Sequence, residues 1–136
     1  MSQNIVKAPI AFSYNGSSEY PFDVRDADDS EKFEKAIEEL QEAEKLVAKD
    51  GKLSGITRAN CKLIKDFFGT CLSAEAVEEF FGGKDNLLRC NEAYVAFLNM
   101  VAQQRDEAMK LQLGLKSMQG NRAQRRQRKR KRGGKK

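Results

Sequence analysis

A chain of 136 residues has room for one domain, or for one domain and a tail. It is 40% hydrophobic and 33% charged, and its net charge of +5 is unevenly spread. Ser117 to Lys136 hold ten Lys and Arg and no acid, which leaves 15 basic against 20 acidic residues, a net of −5, in the remainder. With no histidine, His-based triads, Cys–His pairs and His-ligated metals are excluded.

No run of about 18 apolar residues occurs, so no membrane span is expected. Met1-Ser2-Gln3-Asn4 does not read as a signal peptide. Cys61, Cys71 and Cys90 fit no zinc or redox spacing, and each falls in a helical apolar pattern, which predicts reduced, buried thiols and a cytoplasmic protein (the host cytoplasm, if viral).

Residues 8 to 24 predict a β-hairpin. Ile10, Phe12 and Tyr14 alternate before Asn15-Gly16, and Tyr20, Phe22 and Val24 alternate after it. A two-residue Asn-Gly loop would pair Phe12 with Glu19 and split the apolar set between two faces. A three-residue loop, Asn15-Gly16-Ser17, pairs Phe12 with Tyr20 and Ile10 with Phe22, and gathers the set on one face. The second register is expected, and its apolar face must lie on helices or on another subunit.

Asp28, Asp29 and Ser30 offer N-caps for a first helix from about Ser30 to Lys49. Its seam is Phe33, Ala36, Leu40, Ala43 and Val47, with Glu34, Glu38, Glu39, Glu42 and Lys45 toward water. A second helix spans about Thr57 to Leu72 on Leu63, Ile64, Phe67, Phe68 and Cys71. Ser73 caps a short helix bearing Val77, Phe80 and Phe81, which Gly82-Gly83 stops. Asp85 or Asn86 caps the next, continuing to about Met118 along Leu87, Tyr94, Leu98, Val101 and Met109 or Leu113. Beyond it the chain has nothing apolar to bury and is expected to be disordered when free. The prediction is thus a mainly α protein, a small helical bundle with an N-terminal β-hairpin over 1–118 and a disordered basic tail over 119–136.

No catalytic constellation emerges, so an enzyme is not expected. Glu38-Glu39 and Glu78-Glu79 fall on polar helix faces, where solvated carboxylates are the rule. Gly82-Gly83-Lys84 lacks the first glycine, the hydroxyl residue and the strand of a phosphate loop, and no calcium loop fits residues 23–31. Neither cofactor nor metal is expected.

Two features remain for partner binding. Core packing accounts for most of the middle aromatics, but two Phe-Phe pairs beside glycine stops are hard to bury entirely in so small a body. Phe67, Phe68, Phe80, Phe81 and Tyr94 are therefore candidates for a groove or subunit contact. The second feature is the basic run Arg122, Arg125, Arg126, Arg128, Lys129, Arg130, Lys131 and Arg132. It suits sequence-blind contact with nucleic acid, nuclear import or docking on an acidic protein, against the plain alternative of a solubilising tail.

Several segments together resemble the small tail assembly chaperones of long-tailed, siphovirus-type bacteriophages and prophages. They are the hairpin from Tyr14-Asn15-Gly16 to Phe22-Asp23-Val24, the acidic first helix, Phe67-Phe68-Gly69, Glu79-Phe80-Phe81-Gly82-Gly83-Lys84-Asp85-Asn86-Leu87, Asn91-Glu92-Ala93-Tyr94 and Asn121-Arg122-Ala123-Gln124-Arg125-Arg126. The resemblance implies a helical homo-oligomer that coats the tape measure protein during virion assembly. It also implies a frameshifted longer form that recruits the tail tube protein. A nucleic-acid-binding protein acting through the basic tail is the alternative.

Overall fold

The computed structural model describes the backbone of residues 8–47 and 51–134, and side chains as far as residue 111. Two short strands, β1 (Ala11–Phe12) and β2 (Tyr20–Pro21), precede four helices: α1 (Ala27–Lys45), α2 (Leu53–Cys71), α3 (Ala74–Phe81) and α4 (Leu87–Gly134). The protein is mainly helical with an N-terminal antiparallel hairpin, as the sequence predicts.

Phe12 pairs with Tyr20, and the Phe22 amide donates to the Ile10 carbonyl at 2.9 Å, which is the register chosen from the apolar alternation. The turn reaches it by another route. Asn15 and Gly16 both have positive φ, 54° and 77°, and the Ser17 amide donates to the Tyr14 carbonyl at 3.1 Å. Those are the marks of a two-residue type I′ turn. Tyr14 opposite Ser17 and Phe12 opposite Tyr20 differ by one residue, so Ser17–Glu19 carries an extra residue that restores the apolar register. Ser17 Oγ stabilises this corner by accepting from the Tyr14 amide at 3.0 Å. Ile10, expected on the apolar face, is 60% exposed instead, one residue ahead of β1 and at the outer end of the ladder.

Helix α1 starts earlier than expected. Asp26 is at the N-cap without a side-chain cap bond, which leaves Asp28 and Asp29 in the first turn, where acids favour the helix dipole. Asp29 instead accepts the Asp23 amide at 3.0 Å, tying the helix to the hairpin. Residues 48–50, at the expected end of this helix, lie outside the described residues. Ser73 caps α3 as expected, accepting from the Ala76 amide at 3.1 Å, and Gly82 ends it in the left-handed region at φ 57°. Asn86 caps α4 by accepting the Arg89 amide at 3.2 Å.

The α4 backbone runs on to Gly134, past the Met118 boundary and through the segment expected to be disordered when free. Its Ala, Gln, Arg and Lys are all good helix formers, and once a helix is nucleated each further residue adds cheaply. Among the residues whose side chains are described, Gln104 is the last fully buried one, Glu107 and Ala108 are half-buried, and Met109, Lys110 and Leu111 are exposed.

The core is aromatic. The Phe12 ring lies 5.2 Å from Phe97, 5.5 Å from Phe80 and 5.7 Å from Phe68, so the hairpin enters the centre of the bundle. Phe22 covers Phe97 from the other side at 4.9 Å. Each such ring contributes about 1.5–3 kcal/mol by burial. Gln104 carries no signal in the apolar pattern of its helix. Its amide is wholly buried, donates to the Pro9 carbonyl at 2.6 Å and the Phe22 carbonyl at 2.9 Å, and accepts from the Val24 amide at 2.8 Å.

Candidate partner-binding site

The four candidate phenylalanines are not on the surface. Phe67, Phe68, Phe80 and Phe81 are all buried, with Phe68 at 0% exposure. The reason is the central place of α2, which packs on α1 along one side and on α3 and α4 along another, so that two adjacent positions roughly 100° apart are both covered. Phe80 and Phe81 of α3 are covered by the hairpin: Phe80 meets Phe12, Tyr14 and Tyr20 edge to face, and Phe81 lies 6.2 Å from Tyr14. Tyr94 is half-buried and stacks edge-on against Phe67 at 5.1 Å. An exposed aromatic wall at these positions is therefore corrected to a core.

Polar bonds seal the rim of that core. Glu79 on α3 accepts from the Tyr20 hydroxyl and from the Ser18 amide, the latter at 2.8 Å. The Tyr20 bond, then burial, pushes that phenol up to about 12, and the same bond holds Glu79 below the usual carboxylate range. Arg25 joins Asp23 at 2.8 Å and also Glu107, clasping the hairpin exit to α4. The three thiols are free and buried, and burial pushes Cys71 and Cys90 up to about 12, far from a nucleophilic thiolate. Among the described residues no cluster of acids and cysteines is placed to hold a metal ion, and no helix is long and apolar enough to cross a membrane.

The surface does carry a groove. It lies between α1, α2 and the start of α3, with a volume of about 530 Å3. Leu40, Leu63 and Val77 give it apolar walls, Ala36, Ala43 and Gly69 keep it open, and Glu39 and Asp66 stand among its lining residues. Only one of the five aromatic candidates, Phe67, contributes to it. Small residues spaced along facing helices admit a third helix closely. Apolar alternation alone did not single out this groove, since it arises from what α1 and α2 omit. The seam with small residues at Ala36 and Ala43 was its one visible signal.

Residues 16–129 match the model of a family of unknown function, DUF6673. The chain belongs to the DUF6673 family. The matched span takes in all of α1, α2 and α3 and the basic segment as far as Lys129. No curated protein and no solved structure matches. The side chains of Arg122, Arg125, Arg126, Arg128, Lys129, Arg130, Lys131 and Arg132 lie outside the described ones, on helical backbone of α4.

Proposed function

We propose that this DUF6673 protein is a non-enzymatic tail assembly chaperone, one that oligomerises and holds the helical tape measure protein during phage tail assembly. The observation that carries the reading is the open apolar groove between α1 and α2. A tape measure is a long helix with apolar stripes, and such stripes aggregate unless covered. A groove walled by Leu40, Leu63 and Val77, with small residues at Ala36, Ala43 and Gly69, takes one apolar helix face reversibly. The segments that resemble this chaperone family support the same reading.

The test is co-expression with a tape measure protein, a long helical chain with exposed apolar stripes. The client is expected to stay soluble only with the chaperone present. Filling the groove with Ala43→Trp, at a half-buried site, is expected to abolish that protection while the melting temperature stays within a few degrees. Full protection by the variant, or a client soluble on its own, would overturn the reading. The concentration of ten Lys and Arg after Ser117 favours the second reading, nucleic-acid binding through the tail. It predicts salt-dependent retention of RNA or DNA by the isolated protein.

A further inference from the structure

Helix α1 turns two different sides to its surroundings. Ala36 packs inward, while Glu31, Glu34, Glu38 and Glu42 are exposed at i, i+3, i+7 and i+11, one outward stripe along the helix. Lys45 pairs with Glu42 at 3.2 Å and Lys32 with Asp29 at 3.9 Å, and the exposed Lys35 stands beside the stripe. Glu34 and Glu38 also flank a shallow apolar recess formed with Phe33 and Ile37. This face looks away from the helix-binding groove.

The complementary charge is on the same chain but beyond its own reach. Arg25, just before α1, pairs with Glu107. Farther along α1, Phe33 lies 6.5 Å from Phe97. Near the end of α1, Tyr94 has its phenol raised by burial and then by the charge of Glu44. Helix α1 therefore runs antiparallel to α4, from the level of residue 107 toward that of 94. The basic extension of α4 leaves the same corner in the opposite direction. At about 1.5 Å per residue, Arg122 stands roughly 20 Å along the helix beyond Glu107, about two Debye lengths in ordinary salt. The extension from Arg122 to Arg132 is roughly 15 Å long, and the stripe from Glu31 to Glu42 roughly 17 Å.

We propose that copies of this chain join head to tail, the basic extension of α4 in one copy lying along the acidic outer face of α1 in the next. The partner is a second copy because opposite charges of matching length sit on one molecule at places that cannot meet within it. Such a contact is heterologous, so each copy keeps a free stripe at one end and a free extension at the other. Repeated, it strings copies into an open row. Its use in sheathing a rod-like client rests on the chaperone reading, but the contact itself needs no client.

Sedimentation of the full chain tests it, at about 0.05 M and about 1 M salt. The wild type is expected to associate with rising concentration in low salt and to dissociate in high salt. Glu34→Lys/Glu38→Lys/Glu42→Lys, and separately Arg122→Glu/Arg126→Glu/Lys129→Glu, should each be monomeric in low salt with an unchanged melting temperature. Mixed together, the two variants should associate again, because each restores the opposite charge that the other lacks. A wild type monomeric in low salt overturns the proposal, as does either variant self-associating like the wild type, or a mixture that stays monomeric. Retention of nucleic acid by a monomeric wild type would assign the extension to that partner instead. Loss of client protection with self-association intact would sink the chaperone reading alone.

Discussion

Gln104 is the only polar side chain among the fully buried residues described, and all three of its hydrogen bonds end on the hairpin backbone. Pro9, Phe22 and Val24 offer main-chain groups that the short β1–β2 ladder cannot satisfy, and one amide from α4 answers all three. Replacing it by a hydrophobe of similar size removes the amide and leaves those groups buried without partners, at about 1–3 kcal/mol each where water cannot reach. Gln104→Leu is therefore expected to lower the unfolding free energy by roughly 3 kcal/mol or more in urea titration, where a surface change costs under about 0.5 kcal/mol. A loss under about 0.5 kcal/mol would mean that solvent takes over the three bonds. The Tyr20–Glu79 bond gives a second residue-scale test, in pH. Tyr20 has a raised pKa in the folded protein, so its contribution is complete below the ordinary phenol value of 10.0 and is lost as pH rises through about 12. Glu79 has a lowered pKa, so its contribution is present above the ordinary carboxylate value of 4.5 and is lost as pH falls through its depressed one. Ultraviolet titration of the native protein should show one phenol ionising near 12 that Tyr20→Phe removes; its persistence in the variant would assign it to another tyrosine.

At the scale of elements, the hairpin is a lid as well as a pair of strands. Phe12 and Phe22 face inward onto Phe97, whereas Asp23 faces outward to Arg25. Phe22→Asp would bury a carboxylate among rings and open a cavity, so a loss above about 3 kcal/mol is expected. Asp23→Ser gives up only a partly exposed ion pair and should cost under about 1 kcal/mol. Equal losses in thermal unfolding would show that the two side chains do not face opposite ways. Much of this element was legible in advance. Apolar residues repeating every second position admit one register if they are to share a face, and the register followed even though the turn that delivers it has two residues and an extra one beside it. Ser73 and Gly82 were legible for a similar reason, and the cap of α4 was narrowed to Asp85 or Asn86, since a hydroxyl, carboxylate or amide before an apolar run and a glycine after one act through local backbone geometry. Burial of both Phe-Phe pairs was not legible. It depends on α2 lying between other elements and on the hairpin folding over α3, and no window of adjacent residues encodes either. The groove was hidden too, because it consists of space left by Ala36, Ala43 and Gly69 rather than of a residue type with its own signal.

At the scale of the whole molecule, stability and charge reside in different parts. Among the described side chains the buried apolar core ends near Gln104, while the ten basic residues begin only at Arg122. A segment with almost no apolar residue to bury contributes little to folding, whatever its backbone conformation. The body that remains is acidic by five charges, so the tail reverses the sign of the whole chain without being part of its core. Truncation after Met118 is therefore expected to leave the melting temperature within about 2–4 °C of the full chain, the shift that roughly 1 kcal/mol produces in a domain of this size. The same truncation should move the protein from cation-exchange to anion-exchange retention at neutral pH and remove its concentration-dependent association in low salt. The two readouts answer separate questions. A large fall in melting temperature would place the extension against its own body, whereas unchanged association with an unchanged melting temperature would move the self-contact onto the folded domain. Only a truncated chain that is both as stable as the full one and strictly monomeric fits an extension that reaches outward to another copy.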